Sequence, residues 1–206
     1  ALINMIGLRD FDALEKISST AEKLSAGEIL QLEKSITGSM TENIYFEMIR
    51  QKTASLIATS CELGAITTTK SETDRALTHL YGESLGMAFQ IKDDLFDLMG
   101  SEDDTGKNSG GDVKKNMKTL PLIYSMSNMN GSHKRKLKKL LKSKRKNNSV
   151  LSEIHKIVEN TGGIDYAVKK LDEYSNQALK SISTYPESVY KTALINVVNY
   201  NKSRVK

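Results

Sequence analysis

The sequence predicts an all-α bundle of long, mostly antiparallel helices. Three observations carry this expectation. Apolar residues recur at three- and four-residue spacing along the whole of the 206 residues, the period of a helix with one buried face. Only two prolines, Pro121 and Pro186, are present, so helices can run unbroken. No stretch shows sustained two-residue alternation, and no hairpin dipeptide or internal repeat is visible.

The elements follow in order. Leu14, Ile17, Ala21 and Leu24 form an apolar stripe that continues through Ala26 and Gly27 into Ile29, Leu30 and Leu32. Thr41 reads as an N-cap, with Ile44, Tyr45, Met48, Ile49, Lys52, Thr53 and Leu56 as one face of the next helix. Residues 53–61 carry no charge, which predicts a helix buried on most sides. A third helix is expected over 71–99, then a Gly-, Asp- and Asn-rich loop to about 117. Thr119-Leu120-Pro121-Leu122 reads as a helix start with Pro in the first turn, where its missing N–H costs nothing. Gly131 breaks that segment. Beyond a basic stretch, helices are expected over 149–160, 163–183 and 187–204, with Gly162-Gly163 separating the first pair and Pro186 opening the last.

A chain of this length buries one sizeable core, so residues 1–206 are expected to form one domain. Charged residues make up 27% and the hydrophobic set 38%, as in soluble globular proteins. Cys61 is the single cysteine. It cannot form an internal disulfide, it fits a small core residue better than a nucleophile, and a reducing cytoplasm is the expected setting. No signal peptide or membrane span appears: the apolar start Ala1-Leu2-Ile3-Asn4-Met5-Ile6 soon meets Arg9 and Asp10. The chain begins without Met, as if in mid-element, so an N-terminally incomplete domain is expected. The net charge of +5 is local. Nine Lys or Arg lie within residues 134–146, without an acid, and setting them aside turns +5 into −4. That run has no interleaved aromatics, so a solvated helix or loop is expected rather than a nucleic-acid or membrane contact.

The chemistry concentrates in residues 86–97. On a helix Asp93 and Asp97 share a face, Asp94 lies beside them, and Gln90 sits one turn earlier. Like charges at this spacing repel by about 0.2–0.5 kcal/mol per exposed pair, and the i±4 positions, Phe89, Gln90, Leu98 and Ser101, offer no base. A hard divalent cation would offset the repulsion. Oxygen-only ligands without nearby His or Cys favour Mg²⁺ over zinc, and Mg²⁺ completes its shell with water and phosphate oxygens, so the stripe predicts a diphosphate site. The bland alternative is a solvated acidic face. Gly82 and Gly86 continue the stripe, each at about 1 kcal/mol against Ala. A close helix crossing or an open ligand channel would account for them equally well. Lys52, opening the uncharged run, fits either a ligand pocket or a lysine reaching for solvent at a helix end. Glu102, Asp103 and Asp104 read as solvated loop, and His79, His133 and His155 form no cluster.

Four segments in order resemble the trans-isoprenyl diphosphate synthase (polyprenyl synthetase) family: Ser25-Ala26-Gly27-Glu28-Ile29-Leu30-Gln31-Leu32; Lys52-Thr53-Ala54-Ser55-Leu56; Phe89-Gln90 through Asp97, its second aspartate-rich motif; and Thr105-Gly106-Lys107 with Gly111-Asp112, followed by Lys118-Thr119-Leu120-Pro121-Leu122. The resemblance is close to about residue 125 and loose beyond. It implies the isoprenoid-synthase bundle and a Mg²⁺-dependent prenyltransferase of isoprenoid biosynthesis, working as a homodimer. Its substrates would be an allylic prenyl diphosphate and isopentenyl diphosphate. It implies that Asp93 ligates Mg²⁺, with Asp97 as ligand or support. Asp94 would hold water or a neighbouring basic group. Lys52 and Lys107 would bind the allylic diphosphate, Thr53 and Gln90 would line the same pocket, and Asp112 would support the site. The family's first aspartate-rich motif, its paired arginine and its N-terminal isopentenyl-diphosphate residues have no counterpart here. Two other readings stand beside the enzyme: a non-catalytic or truncated subunit that keeps the fold, and a helical nucleic-acid binder built on the basic run. Product length and allylic substrate are not written in these residues.

Overall fold

In the computed structural model the described residues are 3, 6, 7, 9–99, 111–114, 117–143 and 146–204. Among them every regular element is helical. Helix α1 (Phe11–Thr37) starts at Asp10, whose side chain accepts from the Ala13 N–H, and ends at Gly38 in the left-handed region, φ 66°. Thr41 caps α2 (Glu42–Ile49), its side chain accepting from Ile44 N. The chain continues through a π turn (Arg50–Ala54) into α3 (Ser55–Ile66) without a break. A short link leads to α4 (Glu72–Met99), the longest helix described. Then come the single turn α5 (Gly111–Lys114), α6 (Leu120–Asn128), α7 (Gly131–Leu141), α8 (Asn148–Asn160), α9 (Gly163–Ser181) and α10 (Val189–Ser203).

The expected boundaries hold closely for α4, α8 and α9, and Pro121 sits in the first turn of α6 as its fixed φ and missing N–H predict. Two expectations fail at the last helix and the basic run. Ser188, not Pro186, opens α10, its side chain accepting from Lys191 N. Gly131 begins α7 rather than merely ending the segment before it.

The architecture is organised around α4, which packs along α3 on one side and α9 on another. The α3–α4 pair is antiparallel: Gly82 faces Ala58 and Gly86 faces Ala54. α1 is antiparallel to the α2–α3 rod, with Gly27 against Lys52, the Thr20 and Thr59 hydroxyls 2.6 Å apart, and Lys16 paired to Glu62 at 2.7 Å. Three apolar clusters line α4 from end to end. Tyr81 meets Ala178, Ile182 and Val198 near its start; Met87, Ile91 and Leu95 meet Ile49, Leu120 and Leu171 at its middle; Leu98 meets Leu122, Leu137 and Ile154 at its end. Side chains such as Ile91 and Leu122 are wholly buried, each contributing about 1.5–3 kcal/mol of transfer free energy.

Helix phase differs from the expected stripes in two places. α1 buries Ala13, Thr20 and Gly27, whereas Ile29 and Leu32 are 67% and 63% exposed. Small residues win this face because α1 comes so near that a Cβ on Gly27 would stand 2.6 Å from Lys52 N. In the α2–α3 rod the π turn shifts the phase. Ala54, Ala58 and Thr59 turn inward and Leu56 is 52% exposed, so the uncharged run is buried along one side rather than on most sides.

Candidate active site

The C-terminal third of α4 carries the acidic stripe past the π turn, the C-terminal half of α1 and the one-turn helix α5. A partly open cavity of ≈ 140 Å³ lies there, lined by Met40, Met48, Ile49 and Met117 and by Gln31, Tyr45, Lys52, Gln90, Asp94, Asp112 and Lys118. Four residues expected from sequence, Lys52, Gln90, Asp94 and Asp112, thus meet at one space. Lys107 lies outside the described residues, as do Thr105 and Gly106 and the acidic triplet Glu102, Asp103 and Asp104.

Each carboxylate of the stripe has its own protein partner. Asp94 is 5% exposed; it accepts from the Tyr45 hydroxyl at 2.6 Å and from the Gln90 amide at 3.0 Å. Burial pushes its carboxyl up to about 7, the two hydrogen bonds pull the other way, and the charges of Asp112 and Asp93 add to the rise. The Tyr45 hydroxyl is in turn held well above its ordinary range, first by burial and then by the charge of Asp94. Gln90 is fixed from its other end, its Oε1 accepting from Thr53 Oγ1 at 2.8 Å. Asp97 accepts from two backbone donors, Gly111 N at 2.9 Å and Asp112 N at 3.0 Å, so it ties α5 back onto α4. Asp93, 40% exposed at the side chain, pairs through Oδ1 with Arg204 beyond α10.

The i±4 positions indeed offer no base, and one arrives from elsewhere in the chain. The compensating guanidinium comes from 111 residues downstream. Asp94 meets a phenol and an amide rather than a basic group. Lys52 reaches the cavity instead of open solvent and is 31% exposed. Its Nζ donates to Gln31 Oε1 and pairs with Glu28 at 3.1 Å. Gly82 and Gly86 serve the close crossing: a Cβ on Gly82 would stand 2.7 Å from the backbone of α3 and one on Gly86 2.6 Å from Ala54 Cα at the end of the π turn. Several site residues were not singled out from sequence. Gln31 lies inside a quoted motif, Lys118 in another, Tyr45 passed as one more apolar position, and Arg204 gave no local signal.

Among the described residues no group of three or more His, Cys, Asp or Glu stands close enough to hold a metal unaided. Mg²⁺ needs fewer, since it commonly takes one or two carboxylates and fills its shell with water and phosphate. Asp93 fits that role. Its carboxylate is partly exposed, and among the described residues no donor reaches Oδ2. Asp94 and Asp97 have both oxygens engaged.

The all-trans-nonaprenyl-diphosphate synthase (geranyl-diphosphate specific) of Rhodobacter capsulatus is 35% identical over 205 residues, covering 100% of this chain and 60% of that protein. A geranylgeranyl pyrophosphate synthase structure from Bacteroides thetaiotaomicron superposes with a TM-score of 0.87 at 30% identity, over 98% of this chain and 67% of that one. The polyprenyl synthase of Caulobacter crescentus CB15, solved with calcium and isoprenyl diphosphate, gives 0.87 at 26% identity, over 97% and 61%. The chain spans about two-fifths to three-fifths of the length of the curated relatives it matches. The family model described as Polyprenyl synthetase matches residues 1–158; with the isoprenoid-synthase bundle and the motif order in place, the chain belongs to the polyprenyl synthetase family.

Proposed function

We propose that this chain carries the second-aspartate-motif half of a Mg²⁺-dependent trans-prenyltransferase that joins an allylic prenyl diphosphate to isopentenyl diphosphate, giving longer linear diphosphates, and that it works as a cytoplasmic homodimer. The observation that carries the reading is the convergence of Lys52, Gln90, Asp94 and Asp112, from separate motifs, on one cavity. The relative solved with calcium and isoprenyl diphosphate supports a divalent cation beside a diphosphate.

In this reaction the allylic C–O bond breaks, its electrons leave with the diphosphate, and the allylic cation alkylates the second substrate's double bond before a proton is lost. Negative charge grows on the leaving group. Lys52 and Lys118 would stabilise it in the transition state from the cavity edge, and the family resemblance assigns Lys107 the same task. Thr53 orients Gln90, and Gln90 presents its amide beside Asp94, so the polar rim is preorganised. The apolar wall of Met40, Met48 and Ile49 keeps water from the cation. Asp93 would be the direct metal ligand, with Asp94, Asp97 and Asp112 shaping the site around it. Bound Mg²⁺ would supply Lewis-acid stabilisation of the departing diphosphate.

A second reading, a non-catalytic or truncated subunit, is favoured by one observation: Lys52 is already paired to Glu28 and Gln31. One experiment separates the two. The complete protein is incubated with labelled isopentenyl diphosphate, several allylic primers and Mg²⁺, and product chain length is read. Elongated product is expected, with Asp93→Ala reducing turnover by at least about 100-fold while thermal unfolding is unchanged, as for loss of a metal ligand. These 206 residues alone carry one aspartate-rich motif and are expected to give no product. An unchanged rate for Asp93→Ala removes the metal assignment.

A further inference from the structure

The C-terminal end of α10 is fastened to the acidic turn of α4 at several points. Lys92 Nζ donates to Lys202 O at 2.9 Å, and Arg204 Nη2 donates to Phe89 O at 3.2 Å and also to Asp93 Oδ1. The guanidinium itself is fixed. Its carbon stands 4.4 Å from the Phe89 ring centroid and 5.2 Å from that of Phe96, and its Nε donates to Asn201 Oδ1 at 3.1 Å. Only 12% of the Arg204 side chain is exposed, against 40% for Asp93. Such a setting is not that of a surface ion pair, where two mobile chains gain little.

We propose that Arg204 is a positioning residue of the candidate metal–diphosphate site, gripping Oδ1 of Asp93 so that Oδ2 is presented to the divalent cation. The proposal rests on the prenyltransferase reading. A ligating carboxylate works best when its other oxygen is held, because the rotamer is then set before the metal arrives; loss of such a support costs about 10- to 100-fold in metal affinity. Arg204 meets this requirement from one side only. The same Nη2 also donates to Phe89 O and Nε donates to Asn201, which holds the fork in place, and the Phe89 and Phe96 rings both lie near its carbon. The same cation offsets the crowding of Asp93 with Asp94 and Asp97, which their positions on α4 impose.

The test reads metal binding directly. Mn²⁺ binding to the complete protein, with inorganic diphosphate present, is followed by the loss of the free-ion electron paramagnetic resonance signal. Arg204→Gln is expected to weaken Mn²⁺ binding about 10-fold or more. Arg204→Lys, which keeps charge without the planar fork, should fall between Gln and wild type. Lys202→Gln, which breaks the 2.8 Å pair with Asp172 on the same helix end, should leave affinity unchanged and so controls for loosened docking of α10. Unchanged binding in Arg204→Gln overturns the proposal. Tighter binding also does, since Arg204 would then be a competitor of the metal. If the Gln variant does not fold, the Lys variant decides by the same criterion, with wild-type affinity as the overturning result. Asp93→Asn keeps the two failures apart: if it too leaves Mn²⁺ binding unchanged, the metal site itself is wrong, whereas loss of binding in Asp93→Asn alone condemns only the role of Arg204.

Discussion

Asp94 places an acid inside the bundle, and its energetics follow from that. Its unfolded pKa is near 3.9, and burial raises the folded value to about 7. Below about pH 4 both states hold the proton. Between the two values the unfolded chain releases it while the folded protein keeps it, so stability falls as pH rises and levels off above about 7, by up to about 4 kcal/mol. Asp94→Asn removes this titration. Urea unfolding is expected to show the variant gaining on wild type from pH 4.5 to pH 8; a pH-independent gap between them would contradict the shift. The sequence shows that three carboxylates crowd one turn, because spacing alone imposes it. It does not show how they are compensated. Asp94 meets Tyr45 and Gln90, Asp97 the backbone of Gly111 and Asp112, and Asp93 Arg204; of these, Gln90 alone is a neighbour on the same helix.

Among the elements, the α3–α4 pair owes its closeness to Gly82 and Gly86, and the α1 contact to Gly27. A Cβ on Gly86 would stand 2.6 Å from Ala54 Cα and 2.9 Å from its Cβ, and neither atom belongs to a flexible side-chain end. Gly86→Ala is therefore expected to destabilise by about 1–3 kcal/mol despite its better helix propensity, measurable as a lower urea midpoint. A gain in stability would mean the helices stand farther apart than described. Helix boundaries were legible because their signals are local: Thr41 caps, Gly162 takes φ 72° before α9, and Pro121 occupies a first turn. Helix phase was less so. Leucine and isoleucine dominate a periodicity count, yet α1 turns Ala13, Thr20 and Gly27 inward, since the distance of approach, not hydrophobicity, chooses that face.

At the scale of the whole molecule, the fold class was legible because periodicity runs through the entire chain. Residues 134–141 of the basic run lie on α7, which buries Leu137, and Arg135, Lys139 and the C-cap residue Lys142 are exposed. Exchanging those three for Gln should change stability by no more than about 0.5 kcal/mol and leave condensation by the complete protein as it was, in a paired unfolding and product assay. Lost activity would show that this face belongs to the site. The long-range assembly was not legible. Three apolar clusters share α4, and no local pattern tells which helix lies beside which third of it. Among the described residues no helix is long and apolar enough to cross a membrane.

The widened turn at Arg50–Ala54 has a further consequence. Ser55 N–H reaches back five residues to Arg50 O, so the rod holds one residue more than an ordinary helix of its length. Tyr45 and Ile49 before it, and Ala54 and Ala58 after it, all lie against α4, across a gap of five where a regular helix would use four. A chain shorter by one residue there would keep both seams in step. The surplus residue is thus dispensable to the scaffold. What it changes is the heading of the side chains inside the loop it creates, and these include Lys52 and Thr53.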